Sequence, residues 1–159
     1  MSDCMSKLVR TTADVMFLFI TVFGFYIVLH GHLTPGGGFQ GGAIVAGGFI
    51  LLIVANRLED FLKWFQKRSF QSCEVSGLVL FIGTALAAIP LGYIFFKNFL
   101  NGAGGLFGQA VPFGINSGIL NTAGTIPIMN IAVGIEVLGG LSIIVLYMTS
   151  GIRSHEEGE

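Results

Sequence analysis

The chain has 159 residues and a formal net charge of −1, with 53% hydrophobic and only 11% charged residues. Together with a mean hydropathy of +0.81, this composition is typical of an integral membrane protein, in which long uncharged stretches replace a soluble core. The charge balance gives no basic surface for nucleic acid, and three His and two Cys are too few and too scattered for a metal cluster or a disulfide framework.

Four stretches are long and apolar enough to cross a membrane, which takes about 20 residues each. We predict spans over residues 11–29, 39–55, 75–96 and 126–149, within one domain that covers residues 1–159. Pro90 lies inside the third span and should kink it. No small-residue cleavage pattern follows the first span, which favours a membrane helix over a signal peptide. The predicted fold class is an all-α integral membrane protein with four transmembrane helices.

The distribution of Lys and Arg predicts how the chain crosses the membrane. Basic residues accumulate on the cytoplasmic side of membrane proteins. If both termini are cytoplasmic, every Lys and Arg except Lys97 falls on that side. We therefore expect an N-in, C-in arrangement in the cell membrane, with the lipid bilayer surrounding the spans.

A glycine-rich turn connects the first two spans. The residues of this turn motif are His32, Pro35, Gly36, Gly37, Gly38, Phe39, Gly41 and Gly42. Irregular backbone at membrane depth must be covered by protein or water, so we interpret the turn as an external hairpin corner that lets the two spans pack closely. His30 and His32 are expected to bond to backbone rather than to a metal. Residues 36–41 also match G-x-G-x-x-G, but that fingerprint binds dinucleotides only after a β-strand, so no cofactor is expected.

Small residues recur at helix-contact spacing in the second and fourth spans. Gly41, Gly48 and Ala55 are seven residues apart, and Gly42 and Ala46 are four apart. In the fourth span, Ala132, Glu136 and Gly140 are four apart, with Gly139 alongside. Such patterns let helix backbones approach each other in lipid, so both faces are predicted to contact other helices.

The two longer connections differ in character. Between the second and third spans, residues 57–70 carry Leu58, Phe61, Leu62 and Phe65 at i, i+3, i+4 and i+7. This spacing predicts a cytoplasmic amphipathic helix, favoured as an interfacial strut over a docking site for a partner. The external connection, residues 98–125, is glycine-rich and apolar. We expect it to pack over the bundle, to re-enter the membrane or to lie against another subunit, and favour packing over pore lining.

Glu136 is the strongest functional candidate. It lies about ten residues into the fourth span, near the midplane, where an acidic side chain costs on the order of 3 kcal/mol. One interpretation is a relay carboxylate for H⁺ or Na⁺; the other is a carboxyl that bonds to a neighbouring subunit and supports assembly only. Asn130 and Asp14 are weaker ion-path candidates. Helix capping is favoured for Asn130, and a favourable charge at a helix N-terminus for Asp14.

The run from Gly31 to Gly42, GHLTPGGGFQGG, resembles the signature of the MnhB/MrpB family. These are small membrane subunits of Mrp-type multisubunit Na⁺/H⁺ antiporters, and related subunits occur in membrane-bound hydrogenase and sulfane reductase complexes. The resemblance implies four spans, partners among the other subunits of an antiporter or respiratory complex, Na⁺ and H⁺ as the transported ions, and no cofactor. The antiporter members carry an acidic residue near Asn130 and none near Glu136, so no ion-binding acid can be carried over to this chain.

Two hypotheses follow for the function. The chain either contributes to Na⁺ and H⁺ translocation in an antiporter module, or it is a structural linker without a place in the ion path. The sequence contains no paired catalytic groups, so an enzyme acting by itself is not expected. The departure near Asn130 favours the hydrogenase-type or archaeal branch of the family.

Overall fold

The computed structural model describes residues 5–111 and 118–156, with side chains as far as Gly151. Its helices are α1 (Lys7–His30), α2 (Gly37–Ala55), α3 (Leu58–Trp64), α4 (Lys67–Leu86) and α5 (Ile126–Glu156). The helices α1, α2, α4 and α5 are long and apolar enough to cross a membrane. Within the described residues, β structure is limited to one isolated bridge between Gln109 and Thr122. The prediction of an all-α protein with four spans is confirmed.

The four long helices form a row in the order α1, α2, α5, α4. Helix α2 packs between α1 and α5, and α4 packs on the other side of α5. We call the end of the bundle with the Gly31–Gly36 turn and Ile126 the turn end. The opposite end, where the Lys67 ammonium donates a hydrogen bond to the Ser150 hydroxyl at 3.1 Å, is called the basic end.

Glycines place α2 directly against the backbones of both neighbours. A β-carbon on Gly41 would lie 2.7 Å from the carbonyl oxygen of Gly24 in α1. A β-carbon on Gly42 would lie 2.5 Å from the carbonyl oxygen of Gly134 in α5. The two small-residue rows predicted for the second span therefore face two different helices.

The small-residue face of α5 packs against α4. A β-carbon on Gly77 of α4 would lie 2.6 Å from both the Ala132 carbonyl oxygen and the Glu136 backbone nitrogen. One turn further along, a β-carbon on Gly139 would lie 2.6 Å from the backbone nitrogen of Glu74. The predicted helix-contact role of this face is confirmed, and α4 is the helix that it contacts.

The third span differs from the sequence prediction at both ends. The helix covers Lys67–Leu86 rather than residues 75–96, and residues 87–96 form consecutive turns. Pro90 therefore does not kink the helix. It follows the helix end, because its ring would clash with the carbonyl of residue 86 and it has no N–H to donate. The turns fold back, since the Phe96 nitrogen donates to the Ala85 carbonyl at 3.3 Å.

The amphipathic helix is shorter than predicted. Helix α3 ends at Trp64, because the backbone is extended at Phe65 and Gln66, and the chain continues directly into α4. The apolar side chains of this region join an aromatic core at the basic end. The Phe49 ring lies 5.0 to 5.1 Å from those of Phe17, Phe65 and Phe70. Helix α3 thus buries its apolar face against its own chain.

The described part of the external connection is a closed loop over the turn end. Asn98 joins its two ends: its amide nitrogen donates to the Ala123 carbonyl at 2.9 Å, and its amide oxygen accepts from the Thr125 nitrogen at 2.8 Å. Within the loop, the Gly124 nitrogen donates to the Phe107 carbonyl at 2.8 Å. Residues 112–117 of the predicted external segment lie outside the described residues.

Replacing Gly77 by Ala should destabilise the α4–α5 pair, because the new methyl group would meet α5 backbone that cannot move aside alone. The control is Gly83→Ala in the same helix, where no atom lies within 4 Å of the new β-carbon. Thermal unfolding of the purified complex should occur at a lower temperature for Gly77→Ala. For Gly83→Ala it should be unchanged or slightly higher, since Ala favours a helix over Gly by about 1 kcal/mol. Equal behaviour of the two variants would contradict the contact.

Candidate functional site

A single amide, the side chain of Asn130 in α5, joins the ends of α1 and α2. Its nitrogen donates to the carbonyl oxygen of Val28 at 2.8 Å, and its oxygen accepts from the Gly38 nitrogen at 2.5 Å. Carbonyls at the end of a helix and N–H groups at the start of one lack partners within their own helices. Asn130 therefore caps α1 and α2 at once. We call this arrangement the Asn130 joint.

The glycines of the turn motif make room for this amide. A β-carbon on Gly31, Gly37 or Gly38 would overlap with atoms of Asn130. Gly37 (φ 47°) and its neighbour Gly36 (φ 108°) also have the backbone conformation that L side chains rarely adopt. The sequence prediction that the turn lets two spans pack closely was incomplete, because the helix it accommodates most tightly is α5.

The favoured role of Asn130 as a cap of its own helix was wrong: Asn130 is the fifth residue of α5, and its amide bonds to the backbone of α2 and α1 instead. With both amide atoms bonded to backbone, the side chain has a structural partner on each side.

The rest of the turn motif is divided between two environments. Gly41 and Gly42 are buried between helices, whereas Pro35, Gly36 and Phe39 are exposed.

The two histidines of the turn behave differently. The His30 ring nitrogen Nδ1 lies 3.0 Å from the Tyr26 carbonyl oxygen, as expected for a residue bonded to backbone. Both ring nitrogens of His32 are buried, and neither makes a hydrogen bond of normal geometry within the described part of the chain. Its ring lies edge-on to Phe107 of the external loop, at 6.3 Å. Burial lowers the pKa of His32, the Leu120 backbone raises it, and the charge of His30 lowers it.

Glu136 lies on the border between the α4 contact and an open side of α5. It stands ten residues from Ile126, about 15 Å along the helix axis, which places it near the middle of a hydrocarbon core about 30 Å thick. Its backbone is pressed against Gly77. Among the described residues, its carboxylate has no hydrogen bond and no ion pair.

A second acid, Glu74 of α4, lies beside Glu136 along the same helix pair. Its carboxylate oxygen Oε1 lies 3.6 Å from the position of a β-carbon on Gly140, one turn from Glu136. It is half-buried, and it has no hydrogen-bond partner in the described part of the chain. The sequence prediction missed it because the predicted third span began at residue 75. The signal in the sequence is that Glu74 lies one helical turn before Gly77, and therefore on the same face of a helix that contains both.

A groove lies at the turn end, on α5 between α2 and α4. Its volume is about 390 Å³. Phe39 of α2 and Phe81 of α4 form its two walls, and Met129, Asn130 and Val133 of α5 form its floor. Glu136 lies about one helical turn beyond Val133 and is not among the residues that line the groove. We call this feature the α2–α4 groove.

Asp14 lies elsewhere. It is exposed near the basic end of α1, where it lines a separate cavity of about 350 Å³ together with Asn56 and Asp60. Helix α2 packs between α1 and α5, and the face of α5 that carries Glu136 packs against α4. The structure therefore does not bring Asp14 together with Asn130 and Glu136. No group of three or more potential metal-ligating side chains occurs among residues 5–111 and 118–151.

Comparisons with known proteins match most of the chain. Residues 8–143 match a family described as a domain related to the MnhB subunit of Na⁺/H⁺ antiporters. An uncharacterised protein of Methanocaldococcus jannaschii is 36% identical over 137 residues, which are 86% of this chain and 50% of that protein. A putative antiporter subunit, mnhB2 of Staphylococcus haemolyticus, is 32% identical over 57% of this chain and 61% of its own length.

A solved structure shares the fold. One chain of the membrane-bound sulfane sulfur reductase, an archaeal respiratory membrane complex, superposes with a TM-score of 0.74 and 33% sequence identity. The match covers 92% of this chain and 59% of that one. The chain thus spans between half and two thirds of the length of these similar proteins.

The loss of stability caused by a substitution at Asn130 should depend on which of the two hydrogen bonds the new side chain keeps. Asn130→Leu has a similar size but leaves the Gly38 N–H without a partner, and one buried unsatisfied group costs about 1–3 kcal/mol. Asn130→Asp keeps the acceptor for Gly38 and loses the donor for Val28, so its loss should be intermediate. In thermal unfolding of the purified complex, the melting temperature should decrease in the order wild type, Asn130→Asp, Asn130→Leu. An Asp variant less stable than the Leu variant at neutral pH would contradict it.

The burial of both His32 ring nitrogens predicts a pH effect. Because the folded state lowers the pKa of this base from 6.5, the folded state disfavours the protonated ring, and stability should fall as the pH drops below about 6.5. His32→Phe keeps the ring contact with Phe107 and cannot protonate. Melting temperatures measured between pH 8 and pH 5 should therefore decrease more for the wild type than for His32→Phe. Parallel curves for the two proteins would show that His32 is not responsible.

Proposed function

The chain belongs to the MnhB family, related to the MnhB subunit of Na⁺/H⁺ antiporters, and we propose that Glu136 gives it a place in the path of Na⁺ or H⁺. Members of this family are antiporter subunits, so the chain is not an enzyme by itself. Its four apolar helices make it a membrane protein. We further propose the cell membrane as its location, with both termini cytoplasmic, because this orientation places nearly all basic residues on that side.

The observation that carries the proposal is the carboxylate of Glu136 near the membrane midplane. It has no hydrogen-bond or ion-pair partner among the described side chains. Ionisable groups in such positions typically pair across an interface or line an ion or proton pathway. Glu74 of α4, whose carboxylate lies beside Gly140 one turn from Glu136, supplies a second carboxylate along the α4–α5 pair, so a cation or proton would find two acceptors in succession.

A second candidate function is that of a structural linker. The Asn130 joint favours it, because this amide fixes three helices at the turn end without leaving a free polar atom for an ion. Asn130, although a candidate for the ion path from its sequence position, fits the linker role better. Under this function, Glu136 would bond to a neighbouring subunit and support assembly alone.

The substitution Glu136→Gln separates the two functions, because Gln keeps the shape and hydrogen-bonding capacity but cannot release a proton. In the assembled complex, Na⁺/H⁺ exchange should fall by about a hundredfold, the lower range for losing a positioned proton-transfer group. Exchange in membrane vesicles and the amount of intact complex on native gels are measured together.

The control is Asp14→Asn, which also replaces a carboxylate by an amide but lies away from Glu136, beside a separate cavity. Exchange in this variant should stay near the wild-type rate. Full exchange in the Glu136→Gln complex would exclude the ion-path role. Loss of the complex itself would favour the linker. A mass-spectrometric census of the chains that purify with this subunit identifies the parent complex as an antiporter or a respiratory complex.

A further inference from the structure

His32, in the turn between α1 and α2, lies against the external loop. Both of its ring nitrogens are buried. We call the two described stretches of the loop, residues 98–111 and 118–125, its first and second arms. Phe107 of the first arm lies edge-on to the ring at 6.3 Å, and the backbone of Leu120 in the second arm is close enough to raise the pKa of His32. The turn and both arms therefore meet at one titratable side chain.

The two arms are hydrogen-bonded to each other beside this contact. The Gln109 nitrogen donates to the Asn121 carbonyl at 3.1 Å, and the Gly124 nitrogen donates to the Phe107 carbonyl at 2.8 Å. Phe107 itself has a φ of 59°, which residues other than glycine adopt rarely. The loop thus holds the Phe107 ring beside His32 in a strained backbone conformation, and such strain is concentrated at binding sites and switch segments.

The loop and the turn carry no acid that could pair with a protonated imidazole. Residues 98–125 contain no titratable side chain, and the turn from Gly31 to Gly36 contains none besides His32. The groups that flank these two segments are His30, whose charge also lowers the pKa of His32, and Lys97, which precedes the loop. A proton on the buried ring would therefore be a charge without a counter-ion, which is unfavourable until the ring becomes hydrated.

We propose that His32 is an acid-sensitive latch: the two arms of the external loop close over its neutral ring and part when the ring is protonated. Because the ring can be hydrated only when the arms part, a lower pH favours the open loop. Opening uncovers the turn between α1 and α2 and leaves the four spans in place. This regulation does not depend on whether Glu136 carries an ion.

The expected size of the effect follows from proton linkage. A hydrated histidine has a pKa near 6.5, and the closed loop disfavours the protonated ring. The open state therefore binds more protons below this pH, and the closed state becomes less favoured as the pH falls. When the closed state binds no proton, the equilibrium constant for opening rises by about tenfold between pH 8 and pH 5.5.

Hydrogen–deuterium exchange of the purified complex, followed by mass spectrometry of its peptides, tests the latch. Each exchange rate is divided by the intrinsic rate of an unstructured peptide at the same pH, which gives a protection factor. The protection factors of Gln109 and Gly124, whose amides join the two arms, should fall by about tenfold from pH 8 to pH 5.5. In His32→Phe and His32→Gln, which cannot be protonated, they should stay constant over this range.

The matched control is His30→Phe, which removes the other histidine beside the turn and should keep the acid-induced loss of protection. A peptide of α2, residues 41–53, reports on the whole bundle and should stay protected at both pH values. Constant protection of the loop in the wild type, an equal loss in both His32 variants, or a loss shared by α2 would each overturn the latch. Since exchange is measured without transport, its outcome is independent of the Glu136→Gln assay.

Discussion

The Asn130 joint is the constraint on which the arrangement of the helices depends. An amide is an uncharged group that donates from one atom and accepts at another, so it can satisfy a carbonyl at the end of one helix and an N–H at the start of the next. Here these groups belong to Val28 and Gly38. In a membrane no water replaces a missing partner. The position of α5 relative to the first hairpin is therefore fixed at one point by two hydrogen bonds.

From that point, the helices are held together by backbone contact rather than by large interlocking side chains. Lipid tails are as apolar as Leu, so helices gain nothing by burying Leu against Leu and associate through close packing instead. Gly41 and Gly42 bring α1 and α5 against opposite sides of α2, and Gly77 and Gly139 bring α4 against α5. Glu136 lies within the α4–α5 contact, with its backbone packed against Gly77.

The sequence predicts those features that repeat along a helix and fails where the structure depends on contacts distant in sequence. The four spans and the small-residue faces follow from local spacing, and the structure confirms them. The end of α4 at Leu86 was missed because apolar residues continue to Phe96, and hydropathy does not register the steric effect of Pro90. The partner of the glycine turn was missed because Gly38 and Asn130 are 92 residues apart, and Glu74 was missed because it precedes the apolar stretch.

The same reasoning explains why two polar sites on one helix have different consequences. Asn130 and Glu136 are six residues apart, about 9 Å along α5, and only Asn130 lines the α2–α4 groove. Asn130 is neutral and completes both of its hydrogen bonds within the chain, so it needs nothing from outside. The Glu136 side chain offers a carboxylate, and the chain provides neither a cation nor a hydrogen-bond donor for it among the described residues. A polar group that is satisfied internally stabilises its own fold, whereas one left open at membrane depth requires a proton, an ion or another subunit. The Glu136 carboxylate is consequently where this chain depends on its surroundings.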